Sequence, residues 1–283
     1  MKEYIELTKP RVTWLILMSA GVGFYFGMRA AFDAWAFGFT ILGTGLLASG
    51  TFTLNQWYER EADAKMRRTK HRPLPEGRIP PARALGFGVA LSLAGFAMLG
   101  LGANWLSAAL GAGTLLAYLL LYTPLKQRSW RSTTVGAFPG AMPPLIGYAG
   151  AAGTLSAEAW LLFAILLLWQ FPHFYSIAWL YRDDYARAGI RMLPVVEPDG
   201  RSTARQVLLT SAILIPVSML PTAFSMAGQG YAAAALALGL YLFRAGWRLA
   251  SERTLARARG VLLASVMYLP LLYGSLLLSR FSL

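Results

Sequence analysis

The chain has 283 residues, of which 56% are hydrophobic and 14% are charged, and its mean hydropathy is +0.48. This balance excludes an ordinary water-soluble domain of this length and indicates a membrane protein. The absence of cysteine excludes thiolate metal sites, disulfides and covalent c-type haem attachment.

Apolar windows long enough to cross a hydrocarbon layer of ~30 Å recur along the whole chain. They predict nine membrane-spanning helices, at about 12–28, 35–57, 82–102, 104–122, 133–151, 157–180, 203–225, 229–249 and 258–279. No linker or soluble domain interrupts them, and the first is interpreted as a retained span rather than a signal peptide. The predicted fold is therefore all-α, a polytopic bundle forming one domain over residues 1–283.

Positive charge lies almost entirely on one side of these spans. Of the 26 Lys and Arg residues, all but Arg29 and Arg280 belong to the side that carries the N-terminus. By the positive-inside rule this side is cytoplasmic, which puts the N-terminus inside and, after nine crossings, the C-terminus outside. The formal net charge of +13 is thus largely explained by the positive-inside rule. The lipid bilayer rather than nucleic acid is therefore the expected partner.

The second span ends in an unusually charged stretch, "LNQWYEREADAKMRRTKHRPLP". Asn55, Glu59 and Asp63 are four residues apart, so on a helix they form one polar stripe. Like charges at this spacing repel, which makes the stripe poor for stability. Carboxylate oxygens are, however, good ligands for Mg²⁺, which usually brings phosphates with it. The stripe therefore predicts a metal site for a phosphorylated substrate.

Basic residues close to this stripe and at the end of the fourth span suit phosphate oxygens. Arg68 and Arg72 are four apart and share a face if the second helix continues that far. Tyr122, Lys126 and Arg128 lie at the same membrane level in "AYLLLYTPLKQRSWR". They are candidate diphosphate ligands, and the alternative for all of them is an ordinary solvated loop that follows the positive-inside rule.

The sixth span ends in a second acidic group, Asp183 and Asp184. These carboxylates could hold another Mg²⁺ on the opposite side of a diphosphate. The alternative is that they form ion pairs with Arg187 and Arg191 at a helix end. Within the same span His173 needs a polar partner, so it is either a satisfied structural histidine or a contact for substrate.

The fifth span, "TTVGAFPGAMPPLIGYAGAAG", is rich in Gly, Ala and Pro, which predicts close helix packing and kinks.

The chain resembles the UbiA-type intramembrane prenyltransferases, whose first motif has an Asn and two acids at four-residue intervals. Within that family it is most similar to the haem-farnesylating branch, through "LTKPRV", "MRRTKHRPLP", "YTPLK", "GAMPPLIGY" and "FPHFYSIAWLYRDDYARAGIRMLPV". Two positions depart from the pattern. Glu59 stands where Asp is common, and Ser132 stands where Asn is usual.

The resemblance implies a bundle of nine helices around a central apolar chamber, with the acidic motifs at its cytoplasmic end. It also implies three groups of site residues. The catalytic acid motifs comprise Asn55, Glu59, Asp63, Asp183 and Asp184, of which all but Asp183 are expected to ligate Mg²⁺. Diphosphate ligands would be Arg11, Arg68, Arg72, Tyr122, Lys126 and Arg128, and His173 would contact haem.

The implied reaction is Mg²⁺-dependent transfer of a farnesyl group from farnesyl diphosphate to a vinyl group of haem B, with addition of water, to give haem O. Haem B is then a substrate and not a permanent cofactor. The implied location is the bacterial cytoplasmic (inner) membrane, where haem A synthase or oxidase assembly proteins are expected partners.

Three alternative functions fit parts of the pattern. A prenyltransferase of the same family could act on a small aromatic or quinone-precursor acceptor. A secondary transporter would also have many spans and intramembrane acids, although those acids usually lie near the bilayer midplane rather than at helix ends. A membrane cytochrome with paired histidine ligands is disfavoured because the chain has only two histidines, one of them in a charged loop.

Overall fold

The computed structural model describes residues 1–280, and this part of the chain consists of helices and the turns that join them, without a β-strand. The helices in this range are α1 Lys2–Leu7, α2 Pro10–Gly27, α3 Ala34–Lys65, α4 Pro81–Gly102, α5 Trp105–Leu116, α6 Thr123–Arg128, α7 Ser132–Ala141, α8 Pro143–Ala152, α9 Ala157–Leu180, α10 Arg182–Arg187, α11 Leu193–Val196, α12 Arg201–Ala223, α13 Gln229–Ser251 and α14 Leu255–Arg280. A π-helical turn, Ala117–Tyr122, joins α5 to α6.

Six helical segments within residues 1–280 are long and apolar enough to cross a membrane: α3, α4, α9, α12, α14 and the composite segment Trp105–Arg128. They confirm an all-α polytopic membrane protein. The other three predicted spans correspond to α2, the α7–α8 pair and α13. The α7–α8 pair is interrupted at Met142, and α13 carries arginines in its last two turns. None of the three combines the length and apolarity of the other six. The count of nine spans stays a prediction.

Side-chain caps begin two of the spans on the face opposite the acidic motifs. The Asp33 carboxylate accepts hydrogen bonds from the amides of Trp35 and Ala36, at 2.9 and 3.0 Å, where α3 starts. Asn104 accepts one from the amide of Ser107, at 2.9 Å, where α5 starts. The second span was predicted to end at residue 57, but α3 continues to Lys65 and keeps the whole acidic stripe on one helix.

The fifth span is broken, as its composition predicts. Pro143 and Pro144 begin α8 directly after Met142, where α7 ends. Small residues then let α8 lie against α2, since a Cβ added at Gly23 would overlap the Pro144 carbonyl and one added at Gly147 would overlap that of Ala20. Close backbone packing and a kink therefore coexist in this span.

The largest apolar core surrounds α9, which packs against α12 and α14. Leu162 and Ile165 of α9 are fully buried there, with Leu214 of α12 and Leu272 of α14. Helices α3 and α9 run in the same direction and end at one membrane face, which we call the site face. Because α12 starts at this face and α13 returns to it, the end of α13 and the start of α14 also lie there.

Candidate active site

A cavity of about 140 Å³ lies at the site face, where the charged end of α3 meets α6 and two loops. It is lined by Lys9, Asn55, Glu59, Asp63, Met66, Arg68, Arg72, Tyr118, Tyr122, Lys126, Tyr185, Ile190 and Met192. The lining thus combines carboxylates, cations and aromatic rings around one cavity.

Both carboxylates of the α3 stripe are buried and paired with cations from other elements. The Lys126 ammonium lies 2.8 and 3.1 Å from the two carboxylate oxygens of Glu59. Arg72 donates from a guanidinium nitrogen to Asp63 Oδ2 at 2.7 Å. One helical turn before Glu59, the amide of Asn55 donates to Thr123 Oγ1 at 3.2 Å. Pairing is needed because a buried carboxylate without a partner is strongly destabilising.

Cations outnumber carboxylates around this cavity. Lys9, Arg68, Arg72 and Lys126 face Glu59 and Asp63, which leaves a formal charge of +2 when Lys9 is protonated. Burial of the Lys9 amine, together with the charges of Arg72 and Lys126, lowers its pKa to about 7. An anion entering the cavity would favour the protonated amine. The cavity is therefore electrostatically suited to a polyanion such as a diphosphate.

Two loops cover the cavity and are joined through Asp184. Its carboxylate oxygens accept hydrogen bonds from the backbone amides of Arg67 and Arg68, at 3.3 and 3.2 Å, and it also pairs with Arg187. The Arg68 guanidinium lies over the Tyr181 ring, 5.1 Å from its centroid. These contacts connect the turns that follow α3 to the segment that follows α9.

The second acidic group is split by the structure. Asp184 is buried and lies in the predicted ion pair with Arg187, whereas the Asp183 side chain is 85% exposed and lies 3.6 Å from Arg182. Neither aspartate lines the cavity. The ion pair suggested for Arg191 is absent among residues 1–280, where its amide instead donates to the Lys126 carbonyl at 2.8 Å.

The donor set of α3 fits Mg²⁺ that is bound together with a phosphorylated substrate. No group of three or more His, Asp or Glu side chains within residues 1–280 is arranged to hold a metal by itself. Mg²⁺, however, keeps several waters and is commonly bound by one or two carboxylates together with substrate phosphates. Glu59 and Asp63 supply the carboxylates, the Asn55 amide adds an oxygen, and the surrounding cations suit the phosphates.

Two predicted diphosphate ligands lie outside the cavity lining. Arg11 and Arg128 are both exposed, although each is only two residues from a lysine that does line it. Arg68 and Arg72 line the cavity from a turn rather than from a shared helix face, because α3 ends at Lys65.

Lys9 is the main cavity residue that the sequence did not single out. It adopts a left-handed conformation (φ 48°, ψ 61°), which costs a non-glycine residue about 1–2 kcal/mol. Pro10 follows it and begins α2, so Lys9 occupies the corner between α1 and α2. Within "LTKPRV", the proline disfavours helical backbone at the preceding lysine, which was a signal of a break between α1 and α2 but not of the left-handed conformation. Tyr118 and Tyr185 were also missed.

His173 lies deeper in the bundle, between α9 and α14. Its Nδ1 is 3.0 Å from Ser265 Oγ, and its ring stacks on Trp169 with 4.8 Å between the ring centroids. Trp169 donates in turn to the Ser265 carbonyl at 2.7 Å. Seven residues separate His173 from the end of α9, which puts it about 10 Å from the helix end. It therefore has the polar partner that a histidine in a span requires.

The fold and the cavity define a polytopic membrane protein with a basic site that is suited to an anion. The family model of the UbiA prenyltransferase family matches residues 16–272, and the chain belongs to this family. Among curated relatives, a protein of Solibacter usitatus (strain Ellin6076) named "Protoheme IX farnesyltransferase" is 62% identical, with 99% of each chain covered. One of the same name from Koribacter versatilis (strain Ellin345) is 48% identical, covering 99% of this chain and 94% of the relative.

Solved structures share the fold. A digeranylgeranylglyceryl phosphate synthase superposes with a TM-score of 0.82 at 17% identity, covering 100% of this chain and 99% of the other. A UbiA homologue from Archaeoglobus fulgidus bound to GPP and Mg²⁺ has a TM-score of 0.69 at 18% identity, covering 97% and 99%. The resemblance to UbiA-type prenyltransferases is thus confirmed at the level of sequence and of fold.

Proposed function

We propose that this chain transfers the farnesyl group of farnesyl diphosphate to a vinyl carbon of haem B, with addition of water, to give haem O and diphosphate. The names of the similar relatives support the acceptor. The observation that carries the reaction type is the pair of buried carboxylate–cation contacts, Glu59 with Lys126 and Asp63 with Arg72, around one cavity.

Binding of the diphosphate would break the two ion pairs of the cavity, Glu59 with Lys126 and Asp63 with Arg72. Phosphate oxygens take the place of Glu59 at Lys126 and of Asp63 at Arg72, and Lys9 adds a third cation. The freed carboxylates and the Asn55 amide oxygen would be the groups that hold Mg²⁺. When bound, Mg²⁺ neutralises part of the charge that develops on the departing diphosphate. A UbiA homologue of the same fold is bound to GPP and Mg²⁺, which supports metal-dependent binding of a prenyl diphosphate.

The second acidic motif has a different part in this proposal. Through its bonds to the amides of Arg67 and Arg68, Asp184 holds the basic turn over the cavity. Asn55, Glu59 and Asp63 line the cavity whereas Asp183 and Asp184 do not, so the first motif is the better supported metal site. Arg11 and Arg128, both exposed at the same face, are assigned to attraction of the anion before it enters.

In the reaction the bond between the allylic carbon and the diphosphate oxygen breaks, and its electron pair leaves with the diphosphate. The haem vinyl π electrons form the new carbon–carbon bond with the allylic cation. Water then adds to the cation generated beside the macrocycle and loses a proton, which leaves a hydroxyethylfarnesyl side chain. Tyr118, Tyr122 and Tyr185 line the cavity, where their rings stabilise positive charge and exclude early water.

The acceptor binds deeper than the diphosphate. We assign His173 to contact with haem B, because its imidazole lies in the bundle interior on the face of α9 that meets α14 and is oriented by Trp169 and Ser265. This places an aromatic, flat surface about 10 Å along α9 from the cytoplasmic end.

The proposed setting is the bacterial inner membrane with the site face toward the cytoplasm. It rests on the charge asymmetry of the loops, since 24 of the 26 Lys and Arg residues belong to the site face. Haem A synthase or oxidase assembly proteins are then reachable in the same membrane for delivery of the product.

The test is direct. Purified protein is incubated with haem B, farnesyl diphosphate and Mg²⁺, and haem O is measured by mass spectrometry, with 4-hydroxybenzoate present as a competing acceptor. Haem O should form, and chelation of the metal should stop it. Asp63→Ala should remove most turnover, whereas the control Glu61→Gln, an exposed acid on the same helix, should not. Prenylated 4-hydroxybenzoate without haem O would transfer the assignment to the aromatic-acceptor branch.

A further inference from the structure

A second basic cavity, separate from the active site, lies between α13 and α14 at the site face. It has a volume of about 130 Å³ and contains Arg244 and Arg248 of α13 and Arg257 of α14. We propose that this α13–α14 pocket binds the phosphate of an anionic phospholipid from the leaflet at the site face.

The charges of the pocket are not balanced within the protein. Residues 241–260 contain five arginines and one acid, Glu252. That carboxylate is 3.0 and 2.9 Å from two nitrogens of Arg257. Among the described residues neither Arg244 nor Arg248 is in a salt bridge, and both are exposed. Two guanidinium groups one helical turn apart are therefore available to an external anion, which they can bind through paired hydrogen bonds.

The depth of the pocket matches that of lipid headgroups. Arg244 and Arg248 precede the end of α13 by seven and three residues, or about 10 and 5 Å. The interfacial region on each side of a bilayer is about 5–8 Å thick. Tyr241 and Trp247 on the same end of α13 are 54% and 60% exposed, as is typical of aromatic residues at the membrane interface.

Position and shape favour a lipid over a soluble anion. Helix α13 packs against α12 and α14 at the periphery of the bundle. The wall of the pocket between the arginines is built from small residues, Ala245, Ala256 and Gly260. A phosphate held by Arg244 and Arg248 would thus leave its acyl chains along the apolar surface of α13 and α14. Basic pockets between helices at this level bind anionic headgroups in other membrane proteins.

Two variants remove the site in different ways. Arg244→Gln/Arg248→Gln removes the charge. Gly260→Leu keeps every charge but fills the space, and it should fold because a Cβ at Gly260 meets no atom within 4 Å. The matched control is Arg259→Gln, which removes an exposed arginine of α14 that does not line the pocket.

Binding is measured for the full chain in nanodiscs of phosphatidylcholine with increasing phosphatidylglycerol, by native mass spectrometry of retained lipid and by the lipid-dependent shift of the melting temperature. The double variant should bind phosphatidylglycerol about 25-fold more weakly, at about fivefold for each arginine near the surface. Gly260→Leu should lose retention to a similar degree, and Arg259→Gln should match the wild type.

A loss of about fivefold in Arg259→Gln would overturn the proposal in favour of general attraction to an anionic surface, because an arginine outside the pocket would then contribute as much as one inside it. Retention by Gly260→Leu would overturn it as well, because the lipid would then lie elsewhere. Inorganic phosphate is also added to the protein in nanodiscs of phosphatidylcholine alone. If it raises the melting temperature as much as phosphatidylglycerol does, the pocket binds a soluble anion and the proposal is wrong.

Discussion

Replacement of Lys126 by methionine tests how the cavity is built. The Lys126 ammonium contacts both oxygens of Glu59, and the two side chains are only 13% and 10% exposed. Lys126→Met therefore leaves a buried carboxylate without a partner. Breaking a buried pair in this way costs about 3–5 kcal/mol in the free energy of unfolding, because the remaining charge keeps its desolvation penalty.

A companion variant separates stability from chemistry. Lys126→Met/Glu59→Gln removes both charges, so most of the lost stability should return, to within about 1 kcal/mol of the wild type. Farnesyl transfer should stay absent in both variants, since one lacks a diphosphate ligand and the other also lacks a metal ligand. Arg128→Met is the control, because that arginine is exposed and should change stability by less than about 0.5 kcal/mol.

Unfolding is followed in mixed detergent micelles for Lys126→Met, the double variant and the control, and turnover is followed by formation of haem O. The reasoning is refuted if Lys126→Met is as stable as the wild type. It is equally refuted if the double variant is as unstable as the single one, since the cost could not then come from a stranded carboxylate.

Three further predictions concern individual side chains. Arg72→Ala should lower turnover about 10²–10³-fold, the effect of losing one donor to a developing charge, and normal turnover in folded protein would contradict this role. Because the pKa of Lys9 is about 7 and an anion binds best to its protonated form, affinity for farnesyl diphosphate should weaken as the pH rises above 7. Titration calorimetry should find that this affinity depends less on pH in Lys9→Met. The same pH dependence in the variant and the wild type would contradict the role of Lys9. His173→Ala should weaken binding of haem B more than of farnesyl diphosphate, and equal haem affinity would make His173 structural.

The spacing of residues along the chain was sufficient to predict the acidic stripe. Asn55, Glu59 and Asp63 are one turn apart, so any helix that includes them places them on one face. The length of that helix could not be predicted in the same way, because charged residues end an apolar window. In the structure Lys126 and Arg72 neutralise those charges, and the helix continues. The sequence does not reveal these pairs, because Lys126 is distant along the chain and Arg72 lies in a turn.

Periodicity distinguishes the basic residues better than composition does. Arg128 follows Lys126 by two positions, or about 200° around a helix, so the two cannot both face the cavity. Lys9 and Arg11 differ for another reason, since the chain turns at Pro10 between them. The bonds from Asp184 to the amides of Arg67 and Arg68 have no counterpart in the sequence pattern, because backbone donors are common to all residues.

The π-helical turn at Ala117–Tyr122 sets the orientation of the residues that follow it. Such a turn is equivalent to an α-helix with one inserted residue, because the wider turn absorbs the extra residue. If the same residues wound as an ordinary α-helix, everything beyond them would be rotated by about 100°. Tyr122, whose ring lies 4.5 Å from the Lys126 ammonium, and Lys126 itself would then leave the cavity together. In this span the winding of the helix is as important to the site as the identity of its residues.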